Sequence, residues 1–188
     1  MLENTNRCDW ANTSTIYQKY HDEEWGTPVY DDAKLFEFLI LETFQAGLSW
    51  ITILRKRENF RRAFDHFDYQ KIAKYDSKKE SELLQNSGII RNRLKIKAAI
   101  NNAQAFLKIQ EEFGSFSKYL WAFIDGKPIQ NKFMTIQEVP ATTPLSDLIS
   151  KNLKVHGFKF VGSTVVYAHL QACGMVNDHL TTCFKYHI

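Results

Sequence analysis

The chain has 188 residues, 44% of them hydrophobic and 24% charged, with a formal net charge of +3. These values are ordinary for a globular protein of one domain, and they exclude an intrinsically disordered chain. No apolar run approaches the roughly 18 residues of a membrane span, and the start of the chain lacks the features of a signal peptide. The three cysteines argue against a disulfide framework, so we expect a soluble, cytoplasmic protein.

The first part of the chain is rich in aromatic side chains. Trp10, Tyr17, Tyr20 and Trp25 fall within 16 positions. Tyr17, Tyr20 and His21 share one face of a predicted helix. Docking of this face on the core is the commoner fate of such a stripe, and it stays open as an alternative to a binding role.

The second predicted helix carries a carboxylate on its apolar face. Asp31 is its predicted N-cap, and Leu35, Phe38 and Leu39 recur at the spacing of one helix face, with Glu42 at the next position. A buried carboxylate must be neutralised, paired or hydrogen-bonded, so a protein that places one there usually uses it.

A tight corner is predicted directly after this helix. Gly47 can end the helix in a left-handed conformation, and Ser49 can cap the next helix. Glu42 and Trp50 would then face one cavity from two helices. The alternative is that Glu42 pairs with a nearby arginine and that Trp50 is ordinary core.

The middle of the chain reads as a succession of short helices with two basic clusters. Asp68 and a capping-box pattern from Ser77 predict two helix starts, and a long helix is predicted from Ile89. We interpret the basic residues at 55–62 as a solvated outer face. Those at 91–97 can lie along a phosphate backbone.

The C-terminal part is interpreted as two helices joined by a tight turn. Thr143, followed by proline, predicts the start of a helix that stops at Gly157. Propensity alone favours strands over 158–167, but no other convincing strand is available to form a sheet. The glycine pair Gly157 and Gly162 instead favours a helix-hairpin-helix at about 145–173, whose free amides can hold a DNA phosphate.

Two pairs of metal-ligand residues occur far apart in the sequence. His179 and Cys183 are four positions apart, and Cys8 and His21 complete a possible Cys2His2 set for tetrahedral zinc. The spacing is weakly specific because each half has two ligands and no CxxC, so plain burial remains the alternative. Cys173 lies on an apolar helical run and is interpreted as a small buried residue.

Six motifs run nearly from end to end of the chain. They are Cys-x-Trp at Cys8, Tyr-x-x-Tyr-His-Asp-x-x-Trp-Gly from Tyr17, Leu-Glu-x-x-Gln-Ala-Gly-Leu-Ser-Trp from Leu41, Ile-Ile-Arg-x-Arg from Ile89, Gly-Phe-Lys-Phe-Val-Gly from Gly157 and Val-Asn-Asp-His-x-x-x-Cys from Val176. With them the sequence resembles the 3-methyladenine DNA glycosylase I family, constitutive bacterial enzymes of the helix-hairpin-helix superfamily. The departures lie at Thr43, at Phe44 and near 128–143, where they affect pocket shape and one surface.

The resemblance implies an all-α fold in which two helical lobes flank a cleft, with one domain over 1–188. It implies a structural zinc held by the positions matching Cys8, His21, His179 and Cys183. It also implies a monomer that acts on double-stranded DNA containing alkylated adenine. The enzyme would hydrolyse the N-glycosidic bond of 3-methyladenine and leave an abasic site without a strand nick.

The resemblance also assigns roles in the base pocket. Glu42 would be the catalytic residue and would accept hydrogen bonds from the flipped base, while Tyr20 helps to read the base and Trp50 stacks on it. Trp10 and Tyr17 would be pocket walls. Methylation makes the base cationic, so it leaves as a neutral molecule and needs no general acid. Accordingly, we interpret Asp178 as structural and expect Glu42 to act by recognition and electrostatic stabilisation.

The residues expected at the DNA lie on the hairpin and on the corner before Trp50. Phosphate would be held by Gly157, Lys159, Gly162, Ser163 and Thr164. Leu48 would fill the gap left by the flipped base, and its alternative role is packing between two helices.

Two rival classes of protein remain at this stage. A non-catalytic DNA-binding module with a zinc site would bind DNA without releasing a base, but it leaves Glu42 and the aromatic cluster unexplained. A helical interaction protein with no DNA role would leave the glycine hairpin and the basic helix starts unused.

Overall fold

The computed structural model describes residues 6–186, and over this range the regular structure is mostly helical. The α-helices are α1 (Thr15–Glu23), α2 (Asp32–Gln45), α3 (Trp50–Ala63), α4 (Tyr69–Ile72), α5 (Ser77–Gln85), α6 (Arg93–Phe113), α7 (Phe116–Trp121), α8 (Pro144–Val155) and α9 (Ser163–Ala172). Four short 3-10 helices span Asp9–Thr13, Asp65–Phe67, Ala122–Ile124 and Ile136–Glu138. Within the described range, no helix is both long and apolar enough to span a membrane.

Helix α2 lies at the centre of the fold. It packs against α3, α6, α7 and α9. Every residue from Leu35 to Phe44 is buried, so this helix has no solvent-exposed face there. The Asp31 carboxylate caps its first turn by accepting a hydrogen bond from the Lys34 N–H at 2.8 Å, as the sequence predicts. Glu42 is buried because its helix is packed on several sides by other helices.

The corner between α2 and α3 has the predicted form, and a lysine of α6 stabilises it by hydrogen bonds that the sequence did not predict. Gly47 has φ 79°, the left-handed conformation that favours glycine. The buried Lys95 ammonium donates hydrogen bonds to the carbonyls of Phe44 at 2.8 Å and Ala46 at 2.5 Å, which satisfies the free carbonyls of the α2 end. The prediction that Lys95 lies along a phosphate backbone is therefore wrong.

Two predicted helix starts are shifted in the structure. Helix α5 is capped by Asp76, whose carboxylate accepts from the Lys79 N–H, so the capping box predicted at Ser77 is not formed. Helix α6 begins at Arg93, four residues later than predicted, because the Asn92 side chain caps it by accepting from the Lys95 N–H. Ile89 is buried in a non-helical segment before it.

The first basic cluster is also different from its predicted form. Arg57 is buried instead of solvated. Its guanidinium donates to Glu24 at 2.7 Å and to Glu37 at 2.6 Å. These bonds connect α3 to the end of α1 and to α2, so this part of the cluster holds helices together.

The C-terminal helix pair agrees with the sequence-based interpretation. Thr143 and Ser146 form a capping box at the start of α8, and α8 packs along α9 with the turn 157–162 between them. The described residues contain one small sheet, in which β1 (Ile129–Gln130) runs parallel to β2 (Val176–Asn177). This pairing fastens the segment after α7 to the segment after α9.

Candidate active site

A cleft of about 430 Å³ opens between the α1–α3 side of the fold and helix α9. Its lining is mostly aromatic and apolar, with one carboxyl group. The lining residues are Trp10, Tyr17, Tyr20, Trp25, Glu42, Gln45, Trp50, Ile136, Val139, Pro140, Ala141, Thr164, Tyr167, Ala168 and Gln171. The structure thus brings Glu42 together with all four aromatic residues that the sequence places in a pocket.

Glu42 is a buried carboxyl group that forms no salt bridge with any residue in the described range. The residue is only 3% exposed, and within residues 6–186 its Oε2 atom has no hydrogen-bond partner. Arg57 instead binds Glu24 and Glu37, so the alternative in which an arginine pairs with Glu42 is wrong. Burial raises the pKa of Glu42 to about 8 because the charged form loses its hydration.

The aromatic walls are fixed by contacts among themselves and with α3. The Tyr20 and Trp50 rings lie 5.4 Å apart, and Trp10 meets Tyr17 edge-on at 5.4 Å. The Tyr17 hydroxyl accepts a hydrogen bond from the Ile51 N–H at 2.9 Å, which ties α1 to the first turn of α3. Burial, and then a nearby carboxylate, raises the pKa of Tyr20 well above its usual range, so its phenol is neutral.

Helix α9 supplies a wall that the sequence reasoning largely missed. Tyr167 and Gln171 both line the cleft, and both donate to the buried Asp178 carboxylate, at 2.5 and 2.8 Å. Asn131 donates to the other oxygen of Asp178 at 2.6 Å. With both oxygens engaged, Asp178 holds the wall in place, in agreement with its interpretation as structural. The i, i+4 spacing of Tyr167 and Gln171 was an available signal.

The loop from 136 to 141 forms a second missed wall. Ile136, Val139, Pro140 and Ala141 line the cleft opposite the helices. No periodicity in the sequence marks this loop as part of a site. The pairing of β1 with β2 brings it there. The loop overlaps the stretch that departs from the family pattern, so it is where cleft shape is expected to vary.

One of the hairpin residues predicted to bind DNA lines the cleft, and the others lie outside it. Thr164 lines the cleft, whereas the lining includes none of the other hairpin residues predicted to bind DNA. Gly157 has φ 88°, as a tight turn requires, and the Ser163 hydroxyl lies 2.7 Å from that of Ser146 on α8. Leu48 sits at the α2–α3 corner with 40% of its surface exposed.

The four predicted metal ligands form one buried cluster. Cys8, His21, His179 and Cys183 present ligand atoms that all lie within 4.8 Å of one another. Cys183 Sγ is 3.4 Å from His21 Nε2 and 3.5 Å from His179 Nδ1, and Cys8 Sγ is 3.7 Å from His179 Nδ1. Tetrahedral zinc spaces its sulfur and nitrogen ligands about 3.3–3.8 Å apart, so the cluster fits a metal ion of this kind.

Neighbouring groups orient the cluster. The second nitrogen of His21 lies 2.8 Å from an Asp22 oxygen, and the second nitrogen of His179 donates to the Trp25 carbonyl at 3.0 Å. Such contacts fix the tautomer of a ligating imidazole. Trp25 lines the cleft, and Tyr20 precedes His21, so the cluster is directly connected to the aromatic wall.

The fold and the site together define a class of protein. An aromatic cleft with one buried carboxyl group has the shape and chemistry to accommodate a planar, electron-poor ring. The family model described as methyladenine glycosylase matches residues 10–186. The chain belongs to this family.

Relatives and solved structures agree with the family match. The chain is 47% identical over 180 residues to DNA-3-methyladenine glycosylase 1 of Escherichia coli (strain K12), covering 96% of each chain. A crystal structure of 3-methyladenine DNA glycosylase I is similar with a TM-score of 0.94 and 49% identity, over 97% of this chain and 100% of that one. A variant of such an enzyme in complex with 3-methyladenine has a TM-score of 0.94 and 36% identity, over 98% and 99%.

Proposed function

We propose that this protein is a DNA glycosylase that hydrolyses the N-glycosidic bond of 3-methyladenine in alkylated double-stranded DNA. The observation that carries the proposal is the unpaired carboxyl group of Glu42 inside an aromatic cleft. The family relatives bear the name of this activity, and one similar structure is a complex with 3-methyladenine.

The substrate base must leave the duplex to reach this cleft. The bond to be cleaved is inaccessible in stacked DNA. A methylated base that stacks or pairs poorly needs less free energy to leave the duplex. Trp50 and Tyr20 then offer ring faces to the base, and these attract a cation. Unmodified adenine lacks the charge, so it gains less from the same walls.

Glu42 supplies the electrostatic part of the reaction. In the free protein its pKa of about 8 keeps much of the carboxyl group protonated at neutral pH. A cationic base beside it favours the carboxylate, so the proton passes to solvent as the base binds. The carboxylate holds the base through hydrogen bonds and stabilises positive charge while the bond breaks. The electron pair of the broken bond stays on the base, which departs neutral, while water adds to C1′ of the sugar and releases a proton to solvent.

The reaction is expected to stop at the abasic site. A glycosylase that also cuts the strand needs an amine nucleophile to form a Schiff base with the sugar. Among the residues described, no lysine lines the cleft. The buried Lys95 donates to two main-chain carbonyls at the corner instead.

The metal cluster is proposed to hold one structural zinc ion. Cys8, His21, His179 and Cys183 would provide all four ligands, which leaves no open position for a catalytic water. Two thiolates and two imidazoles are a donor set that zinc prefers. The role of the ion would be to fix α1 and its aromatic residues against the C-terminal segment.

DNA is proposed to bind across the hairpin and the α2–α3 corner. The main-chain amides of Gly162, Ser163 and Thr164 at the start of α9, with the Lys159 side chain, would hold phosphate. The Gly157 and Lys159 amides already donate to the Lys154 carbonyl and to the Asn102 side chain, so they are not available to a phosphate. Leu48 would fill the space of the extruded base, since an exposed leucine on a fixed corner suits a wedge.

The deciding experiment incubates methylated DNA with the purified protein and measures released bases by chromatography. We expect free 3-methyladenine, intact strands and abasic sites. Glu42→Gln should release it about a hundredfold more slowly, as for loss of one electrostatic contact in an active site. Glu58→Gln, on the exposed surface of α3, is the control and should behave like the parent. DNA binding without base release would instead support the non-catalytic module.

A further inference from the structure

The hairpin turn is attached to the neighbouring helix α6 by two asparagines. The Asn102 side chain accepts from the Lys159 N–H at 2.7 Å and donates to the Lys159 carbonyl at 2.9 Å. Asn101 donates to the Gly157 carbonyl at 2.7 Å. Asn102 therefore pairs with both main-chain groups of one residue, as an adjacent strand would.

Asn102 is placed to hold a conformation that the turn does not favour by itself. It has no exposed surface, so its amide has no water to compete for these bonds. The residue after Lys159 is Phe160, whose φ of 56° is left-handed and costly for an aromatic residue. On the far side of the turn, the Ser150 hydroxyl donates to the Val161 carbonyl at 2.7 Å, so α8 holds the other half.

We propose that Asn102 is a positioning residue for DNA binding. By fixing the main chain of Lys159, it keeps the Lys159 side chain and the hairpin amides in the arrangement that receives a phosphate. This inference rests on the proposed function, because it assigns a supporting residue to the proposed DNA interface. Asn102 is remote from the base cleft, whose lining does not include it.

The test separates DNA affinity from chemistry. For Asn102→Ala we expect the KM for methylated DNA to rise about tenfold, the size of a lost hydrogen-bonded anchor, while kcat stays within about twofold. Binding of free 3-methyladenine, followed by tryptophan fluorescence, should be unchanged. Gln104→Ala is the matched control, because its amide also donates from α6 to a main-chain carbonyl, that of Ala73 at 2.9 Å, away from the hairpin. Its KM should equal that of the parent.

Three outcomes would overturn the inference. The first is an unchanged KM with only a smaller active fraction, which assigns Asn102 to stability alone. The second is an equal rise in KM for Gln104→Ala. If Asn102→Ala does not fold, Asn101→Ala removes the part-buried bond to Gly157 and a longer bond, at 3.4 Å, to the Asn102 side chain. It should raise KM about threefold, and no rise there is the third outcome. The proposed function fails separately, if the parent protein releases no 3-methyladenine. A difference in KM among active variants tests only the role of Asn102.

Discussion

Helix α2 buries two glutamates in opposite environments. The Glu37 carboxylate accepts from Arg57 at 2.6 Å and from Arg61 at 2.7 Å, whereas Glu42 lies one and a half turns further along with an unpaired oxygen. A buried carboxylate with arginine partners stabilises the fold by keeping those charges compensated. A buried carboxyl group without one is tolerated at the expense of stability, as is common for groups kept for function.

This contrast predicts opposite effects of the same substitution on stability. Glu42 has a pKa of about 8 in the folded protein and about 4.5 when unfolded. Between these values the folded protein holds a proton that the unfolded chain has lost, so the free energy of unfolding falls as pH rises. Glu42→Gln does not titrate, and its stability advantage over the parent should grow by about 1.4 kcal/mol per pH unit between pH 5 and 7.5.

Urea unfolding of both variants across this pH range checks the prediction. Glu37→Gln should be destabilised by about 3 kcal/mol at neutral pH, because Arg57 and Arg61 lose a charged partner. A Glu42→Gln protein less stable than the parent at pH 7.5 would show that this carboxyl group has a stabilising partner.

The pH dependence of excision follows from the same pKa. Because kcat/KM reports groups of the free enzyme, it should rise as Glu42 ionises and level off above about pH 8. The Glu42→Gln variant should be slow and independent of pH over this range. An identical rise in both proteins would assign the titration to another group.

At the scale of elements, the α2–α3 corner depends on a helix that is distant in sequence. The Lys95 ammonium of α6 binds the last carbonyls of α2, and the proposed wedge Leu48 follows directly. Lys95→Met keeps the apolar stem but leaves the carbonyls of Phe44 and Ala46 without this donor. We expect a loss of about 2 kcal/mol in the free energy of unfolding.

The same substitution should also lower the affinity for DNA, because it loosens the α2–α3 corner. For Lys95→Met we expect weaker binding to methylated duplex DNA by about tenfold, measured by fluorescence anisotropy, because Leu48 is no longer held at its angle. Lys108→Met, exposed on the same helix and outside the basic cluster at 91–97, is the control. A destabilised Lys95→Met protein with parental DNA affinity would separate the corner from DNA binding.

Local signals explain which elements could be predicted from the sequence. Asp31, Asp68 and Thr143 all accept from main-chain N–H groups in the first turn that follows them, so the cap and the helix pattern agree. The start of α6 was predicted too early because Ile89 continues an apolar spacing, although it packs outside the helix. Lys95 was misassigned because its partners are carbonyls some 50 positions away.

At the scale of the whole molecule, the metal cluster joins segments that are far apart in sequence. Cys8 and His21 lie beside the aromatic wall, and His179 and Cys183 follow α9. Residues such as Glu42 and the four ligands could be proposed from composition and motif. The wall made by the loop 136–141 could not, because its place depends on tertiary packing. The spacing of Tyr167 and Gln171 marks a shared helix face, but only the packing of α9 shows that this face lines the cleft.

Loss of the metal should therefore damage the cleft as well as the fold. We expect one zinc ion per chain in metal analysis of the purified protein. Cys183→Ser should lose it, lower the Tm by at least about 10 °C and weaken binding of free 3-methyladenine. Cys173→Ser changes a buried thiol outside the cluster and should retain the metal. A folded, metal-free parent protein that binds the base would contradict this role.

The distance along the chain between the two halves of the cluster also orders events during protein synthesis. Cys8 Sγ lies 3.7 Å from His179 Nδ1 across 171 positions, so the cluster cannot form until residue 183 has left the ribosome. Until then the ring contact between Trp25 and His179 is also missing, and the aromatic wall depends on its own ring contacts and on the bond from Tyr17 to α3. We infer that chains ending before residue 183 would lack this second support of the cleft and would bind a damaged base more weakly.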